Sequence, residues 1–108
     1  MKTTQTTQTT QTQNRVDINR IEFTGMVKRV LVDGEKICVF TLDVAGETPT
    51  HKPYHNFITV KTFTEHRPEV GDNINVIAHV STSSYTKNNE KHYVTEIICD
   101  EISEYTPM

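Results

Sequence analysis

Five short β-rich runs, each closed off by a turn signal, constrain this chain more than any other feature. Asn19 to Val30 is the first. Ile21, Phe23 and Val27 fall on one face of it, and Gly25 interrupts that face. A glycine inside a strand marks a bulge or a sharp bend. Asp33-Gly34 is a strong turn signal. Lys36 to Val44 follows, with Cys38, Phe40, Leu42 and Val44 on one face, so the two runs read as a hairpin. Gly46, Pro49 and Pro53 punctuate the next loop. The third run, Tyr54 to Val60, has Tyr54, Ile58 and Val60 on one face and Phe57 on the other. A strand with one face in water alternates more cleanly, so its second face is expected to meet a subunit or a ligand. The fourth run is Asn73 to Ser81, with Ile74, Val76, Ala78 and Val80 in phase. The fifth, Lys91 to Ile102, puts Tyr93, Ile97 and Cys99 on one side and Val94 and Ile98 on the other.

Between the third and fourth runs, Pro68 limits any helix to a turn or two. Thr82 to Glu90 reads as a polar loop. Five strands and little or no helix predict an all-β fold, a small five-stranded Greek-key barrel. The length of 108 residues suits one domain over residues 15–102. Residues 1–14, Thr/Gln-rich and without an aliphatic residue after Met1, are expected to be a disordered tail. Their composition would also let them pair as an extended strand if an edge were offered. Residues 103–108 form a short acidic tail.

The net charge of −3 does not mark a nucleic-acid binder, whose footprint is basic. Its distribution says more. Arg15 to Thr95 carries ten Lys or Arg and ten Asp or Glu, whereas Glu96, Asp100, Glu101 and Glu104 stand at the C-terminal end without a cation. Cys38 and Cys99 match no metal or redox spacing and read as buried thiols in a reducing cytoplasm. No apolar run is long enough to span a membrane, and no signal peptide is expected. His51 and His55 are four apart, but Pro53 lies between them, so no metal site is expected. Neither a glycine-rich phosphate loop nor a nucleophile triad is legible, so no enzyme and no cofactor is expected. Tyr54, Tyr85 and Tyr93 are interleaved with Lys28, Arg29, Lys52, Lys61, Lys87 and Lys91. Planar rings can stack on bases and cations can track phosphates, and a barrel face can offer both.

The order of motifs resembles the single-stranded DNA-binding protein family, whose fold is the oligonucleotide-binding (OB) barrel. Asn19-Arg20-Ile21-Glu22-Phe23-Thr24-Gly25 resembles the family's opening strand, and Phe40-Thr41-Leu42 its second. Tyr54-His55-Asn56-Phe57 resembles the Trp-His-Arg-Val of strand three. Val70-Gly71-Asp72 resembles the turn opening strand four, and Tyr93-Val94-Thr95-Glu96-Ile97 the Tyr-x-Thr-Glu-Val of the last strand. The resemblance covers residues 19 to 103.

The resemblance implies sequence-independent binding of single-stranded DNA in replication, recombination or repair. Tyr54 falls where the family stacks a Trp on a base, and Tyr85 near another. Val60 falls at a stacking Phe and Thr48 near a third Trp, so two platforms are missing, with Phe63 close enough to replace one. Asn56 stands where the family has a phosphate-binding Arg. His55 matches a His that supports subunit assembly, and the edge of the first strand, with Arg20 and Glu22, is where members pair across a two-fold axis. A homodimer or tetramer is therefore expected, with single-stranded DNA and possible replication or recombination proteins as partners and a cytoplasmic, nucleoid-associated location. The family's helix after strand three is absent or reduced, and its long acidic-tipped tail is missing. Two alternatives stand: an accessory module like the primosomal replication protein N, and a structural subunit that has kept the fold and binds DNA weakly.

Overall fold

The computed structural model describes residues 14–107, so the expected Thr/Gln tail lies almost wholly outside the described residues. Five strands form: β1 (Ile21–Asp33), β2 (Cys38–Glu47), β3 (Pro53–Thr62), β4 (Asn73–Lys87) and β5 (Glu90–Glu104). They close into a barrel in the order β1-β2-β3-β5-β4, and no helix occurs among the described residues. All neighbours are antiparallel except β3 and β5, which run parallel and meet in register at Lys61 and Ile98.

The barrel closes because β1 serves two neighbours in turn. Ile21–Met26 pairs with β4 and Met26–Asp33 pairs with β2. Between them the strand turns a corner, with Lys28 and Leu31 as extra residues against β2. Gly25 makes the corner possible: a Cβ there would sit 2.5 Å from the carbonyl oxygen of Asp43 and 3.0 Å from Leu42 Cγ. The bend also leaves the main chain of Val27 short of partners. The turn before β4 supplies them, since Val27 N donates to Asp72 O at 2.8 Å and Gly71 N donates to Val27 O at 2.9 Å. The expected bend and the expected Val70-Gly71-Asp72 turn are thus one joint.

The in-phase apolar positions meet inside. Val27, Cys38, Phe40, Leu42, Val60, Ile74, Val76, Ala78 and Cys99 are buried, with Phe23, Val30, Val44, Ile58, Ile97 and Ile102 packed around them. Ile102 joins this set although it is out of phase with Cys99. The β4–β5 register slips between Ile77 and Ala78, whose partners are Glu101 and Cys99, so Asp100 is bulged out and the faces of β5 exchange there. Asp100 then bonds His79 Nδ1 at 2.9–3.0 Å.

The structure corrects the expected polar loop over Thr82 to Glu90. β4 runs on to Lys87, β5 starts at Glu90, and only Asn88 and Asn89 turn between them. Both take left-handed φ values, 52° and 65°, which fits a two-residue type I′ hairpin turn. Thr and Tyr favour the pleated strand, and an Asn pair supplies the turn. Residues 63–72, where a reduced helix was allowed, are irregular. Arg67 holds that segment against the β1–β2 turn. Its guanidinium donates to Gly34 O at 3.3 Å and Glu35 O at 3.1 Å, and to Thr64 O within its own loop.

Gly25→Ala should destabilise the barrel by about 1–3 kcal/mol, the usual cost of forcing atoms into a packed site, read as a lower urea midpoint with the slope unchanged. Burial raises the Cys38 and Cys99 thiols above their ordinary value, with Arg67 countering at Cys38 and a Thr62 hydrogen bond countering at Cys99. Less thiolate forms at a given pH, so neither should react with a thiol-directed chromophore at pH 8 until the protein is unfolded in urea.

Candidate nucleic-acid interface

Strand direction sorts the candidate residues. The β1–β2 turn and the 63–72 segment sit at one end of the barrel, where Arg67 ties them together. The β2–β3 and β4–β5 hairpin turns lie at the other end, because β3 and β5 both run from those turns toward Lys61 and Ile98. These two hairpins carry Lys52, Tyr54, Tyr85, Lys87, Lys91 and Tyr93. Tyr54 is 43 % exposed, Tyr85 54 % and Tyr93 74 %. Exposed rings of this kind are available to stack; buried ones are not.

Each ring has a local reason for its position. Tyr54 lies opposite Gly46 in the β2–β3 register and covers it: a Cβ on Gly46 would come 2.5–2.8 Å from the ring. Tyr54 shares its face with Asn56, Ile58 and Val60, the core-facing side of β3 continued beyond the core. Tyr93 likewise alternates with Thr95, Ile97 and Cys99 on the core-facing side of β5, and Lys91 Nζ stands 5.5 Å from its ring centroid. Tyr85 is on the opposite face of the ribbon, stacked on His92 at 5.2 Å between centroids and 19° between planes.

Among the described residues, Lys28, Arg29, Lys36, Lys52, Lys87 and Lys91 take part in no ion pair; the Lys and Arg that do are Arg15, Arg20, Lys61 and Arg67. Lys61 is held by Glu96 at 2.6 Å, with both side chains about one-third exposed or less, so it is less free to meet a phosphate than its strand position suggests. Lys28 and Arg29 lie on a different surface, the outer face of β1–β2–β3. There they line a groove of about 420 Å³ with Leu31, Thr41, Phe57 and Thr59.

That groove holds what the sequence reading left out of the site. Phe57 is 60 % exposed and stacks with His55 at 6.4 Å between centroids and 15° between planes. His55 is in turn fixed by Asp43, Nδ1 to Oδ1 2.8 Å. The signal was present, since Phe57 is out of phase with the core positions Ile58 and Val60. Val60 is fully buried and offers no ring or surface. Phe63 is 56 % exposed, at the far end of β3 from Tyr54. Arg20 pairs with Glu22 at 3.5 Å, and Glu22 also accepts from Asn75 Nδ2 at 3.2 Å. Among the described residues β1 uses one edge along Ile21–Met26 and the other along Met26–Asp33, so each half leaves an edge without a strand partner. No group of three or more His, Cys, Asp or Glu that could hold a metal ion comes together among the described residues, and no helix there is long and apolar enough to cross a membrane.

A five-stranded closed barrel of this strand order, with no helix, is an oligonucleotide-binding fold. Solved structures of three single-stranded DNA-binding proteins superpose on it. Plasmodium falciparum SSB in complex with single-stranded DNA superposes with a TM-score of 0.61 at 17 % identity, over 87 % of this chain and 100 % of that one. The small single-stranded DNA-binding protein of Streptomyces coelicolor gives 0.53 at 17 %, over 80 % and 93 %. Mitochondrial Rim1 of S. cerevisiae gives 0.55 at 11 %, over 82 % and 96 %. At such identities the likeness is one of fold. No protein-family model matches the sequence, and no curated protein matches it.

Gly46→Ala tests the Tyr54 packing. The new methyl meets only the end of a side chain that can swing away, so the barrel should keep its thermal midpoint within a few degrees, about 1 kcal/mol. The Tyr54 ring resonances of a tyrosine-labelled sample should shift while those of Tyr85 and Tyr93 hold.

Proposed function

We propose that this protein binds single-stranded DNA without sequence preference, stacking bases on the tyrosines of its two hairpins and holding phosphates with the lysines beside them. The observation that carries this reading is the coincidence at one barrel end of three exposed tyrosines and three lysines without ion pairs, on a fold whose neighbours are single-stranded DNA-binding proteins. Tyr54 and Tyr93 lie on the core-facing sides of their hairpins and serve as the main platforms. Tyr85, on the other side of the ribbon, holds a base that has turned around the hairpin edge. Lys52, Lys87 and Lys91 follow the backbone, and Asn56 donates from the face of Tyr54. Lys28 and Arg29 on β1, with Phe57 on β3, extend the path onto the outer face. Each stacked base contributes about 1–3 kcal/mol, so three tyrosines suffice for useful affinity over a short site. Such binding would protect strands opened in replication, recombination or repair, with the protein acting as a binder and not as an enzyme.

A second reading concerns assembly. Phe57 and Leu31 are 60 % and 52 % exposed on the same face as the ordered His55, an apolar surface suited to another subunit. It supports a homodimer or tetramer, and in that case the outer-face cations serve assembly or lie beside it.

Fluorescence anisotropy of a labelled dT oligonucleotide tests the reading, since the chain has no Trp to report binding. Tyr54→Ala and Tyr93→Ala should each weaken binding by about 5- to 150-fold. Lys87→Ala with Lys91→Ala should flatten the plot of log K against log salt by about 1.4, two phosphates' worth for a single strand. Absence of binding at low salt would overturn the proposal and leave a subunit-contact role.

A further inference from the structure

The β4–β5 ribbon ends as a free-standing two-stranded hairpin. From Ser81 and Glu96 outward its residues are almost all exposed, and β4 there pairs only with β5. A lone two-stranded hairpin is marginal in water, and a third strand is what makes such a ribbon stable. The outer edge of β4 is also unguarded. Sheet edges are protected by charge, proline or a bulge, yet Val80 to Thr86 reads Val-Ser-Thr-Ser-Ser-Tyr-Thr, with none of these.

A segment of the same chain stands next to this edge without a strand partner. Residues 14–20 precede β1 and belong to no strand. Arg15 and Asp17 join through Nε and Oδ2 at 3.0 Å, so these side chains two apart point the same way, as in extended backbone. Val16 and Ile18 alternate with them and are 91 % and 95 % exposed. The register is already set. β1 and β4 pair antiparallel with Ile21 opposite Ala78, so Asn19 falls opposite Val80. There the Asn19 amide does what a paired main chain would do: Nδ2 donates to Val80 O at 2.8 Å, and Val80 N donates to Oδ1 at 3.0 Å. The polar groups of Val80 therefore face the open edge. By the alternation of an antiparallel ladder, those of Thr82, Ser84 and Thr86 face it too.

We propose that residues 14–18 of this chain lie along the free edge of its own β4 as a third ribbon strand, continuing the β1–β4 register past Asn19. Asp17 then exchanges main-chain hydrogen bonds with Thr82, and Arg15 with Ser84. Val16 comes opposite Ser83, one strand from Val94, which is 38 % exposed, and gains apolar cover. Arg15 enters the row of Ser84 and Tyr93. The pairing itself needs no DNA and stands apart from the proposed function.

Amide hydrogen exchange by NMR tests it, comparing the full chain with the double variant Arg15→Pro, Asp17→Pro, which removes both N–H donors aimed at β4. In the full chain the amides of Thr82 and Ser84 should exchange about tenfold more slowly than in the variant. Those of Ser83 and Tyr85, bonded to β5, should change by much less, and so report that the ribbon still pairs. Asn14→Pro, whose N–H points away, should behave as the full chain does. Equal exchange at Thr82 and Ser84 in both proteins overturns the proposal. A disulfide between Val16→Cys and Ser83→Cys should form within one chain. The same bond formed between chains, with protection that grows with concentration, would give the edge to a second copy and overturn the assignment to the chain's own segment.

Discussion

Everything in this barrel depends on one close approach, that of Gly25 to the carbonyl of Asp43. Closing five strands requires one strand to leave one neighbour and join another, and β1 does this within the few residues after Met26. Such a corner strands main-chain groups, and unpaired buried groups are costly. Here the stranded residue is Val27, itself fully buried, and the Gly71–Asp72 turn satisfies both its polar groups. Gly71 takes φ 97°, a conformation in which a side chain would be strained. The absence of a helix between β3 and β4 follows from the same joint. The 63–72 segment has only to reach across the barrel end, and Arg67 and the buried Pro68 fix it there.

Most of this was legible in the alternation of the strands. Phe40, Leu42, Val60, Val76 and Cys99 fall on the core side because their period fits, and Gly25 marks the bend. Two features escaped for definite reasons. The bulge at Asp100 has no sequence signal of its own; an acid in an otherwise alternating run looks like an ordinary outward residue, and only the pairing shows that the faces exchange. Thr82 to Glu90, the outer part of the β4–β5 ribbon, reads as a loop because it is polar, although Thr and Tyr carry β propensity. Strands that leave the core have no reason to alternate in hydropathy, so patterning alone underestimates them.

The candidate site was legible residue by residue but not as an arrangement. Tyr54, Tyr85, Tyr93, Lys87 and Lys91 stand out as rings interleaved with cations, and Tyr54 and Tyr85 also through the resemblance. That Tyr85 faces away from Tyr93 follows from their being on opposed strands of one ribbon, with Ser84 and not Tyr85 opposite Tyr93. Lys61 looked like its neighbours in sequence, yet the parallel contact of β3 with β5 brings Glu96 to it. Phe57 marks a face expected to meet a subunit or a ligand, but a single ring on an outward face shows the cations Lys28 and Arg29 near it only when β1 is folded against β2.

The distribution of charge reconciles a net charge of −3 with a DNA-binding reading. Two of the four C-terminal acids are already engaged, Glu96 by Lys61 and Asp100 by His79. The other two, Glu101 and Glu104, lie ten or more residues along β5 from Lys91, which at strand rise is roughly 30 Å. Screening at physiological salt acts over about 8 Å, so those acids add little to the potential at the hairpin end. What a phosphate meets there is set by Lys52, Lys87 and Lys91 against Glu47 and Glu90. Glu47 also bonds His51 at 3.3 Å, and with His counted neutral the three lysines outnumber the two acids by one. The hairpin end is therefore locally cationic on an acidic protein, and attraction to a strand should be short-ranged and strongly dependent on salt, with stacking supplying the part that salt does not remove.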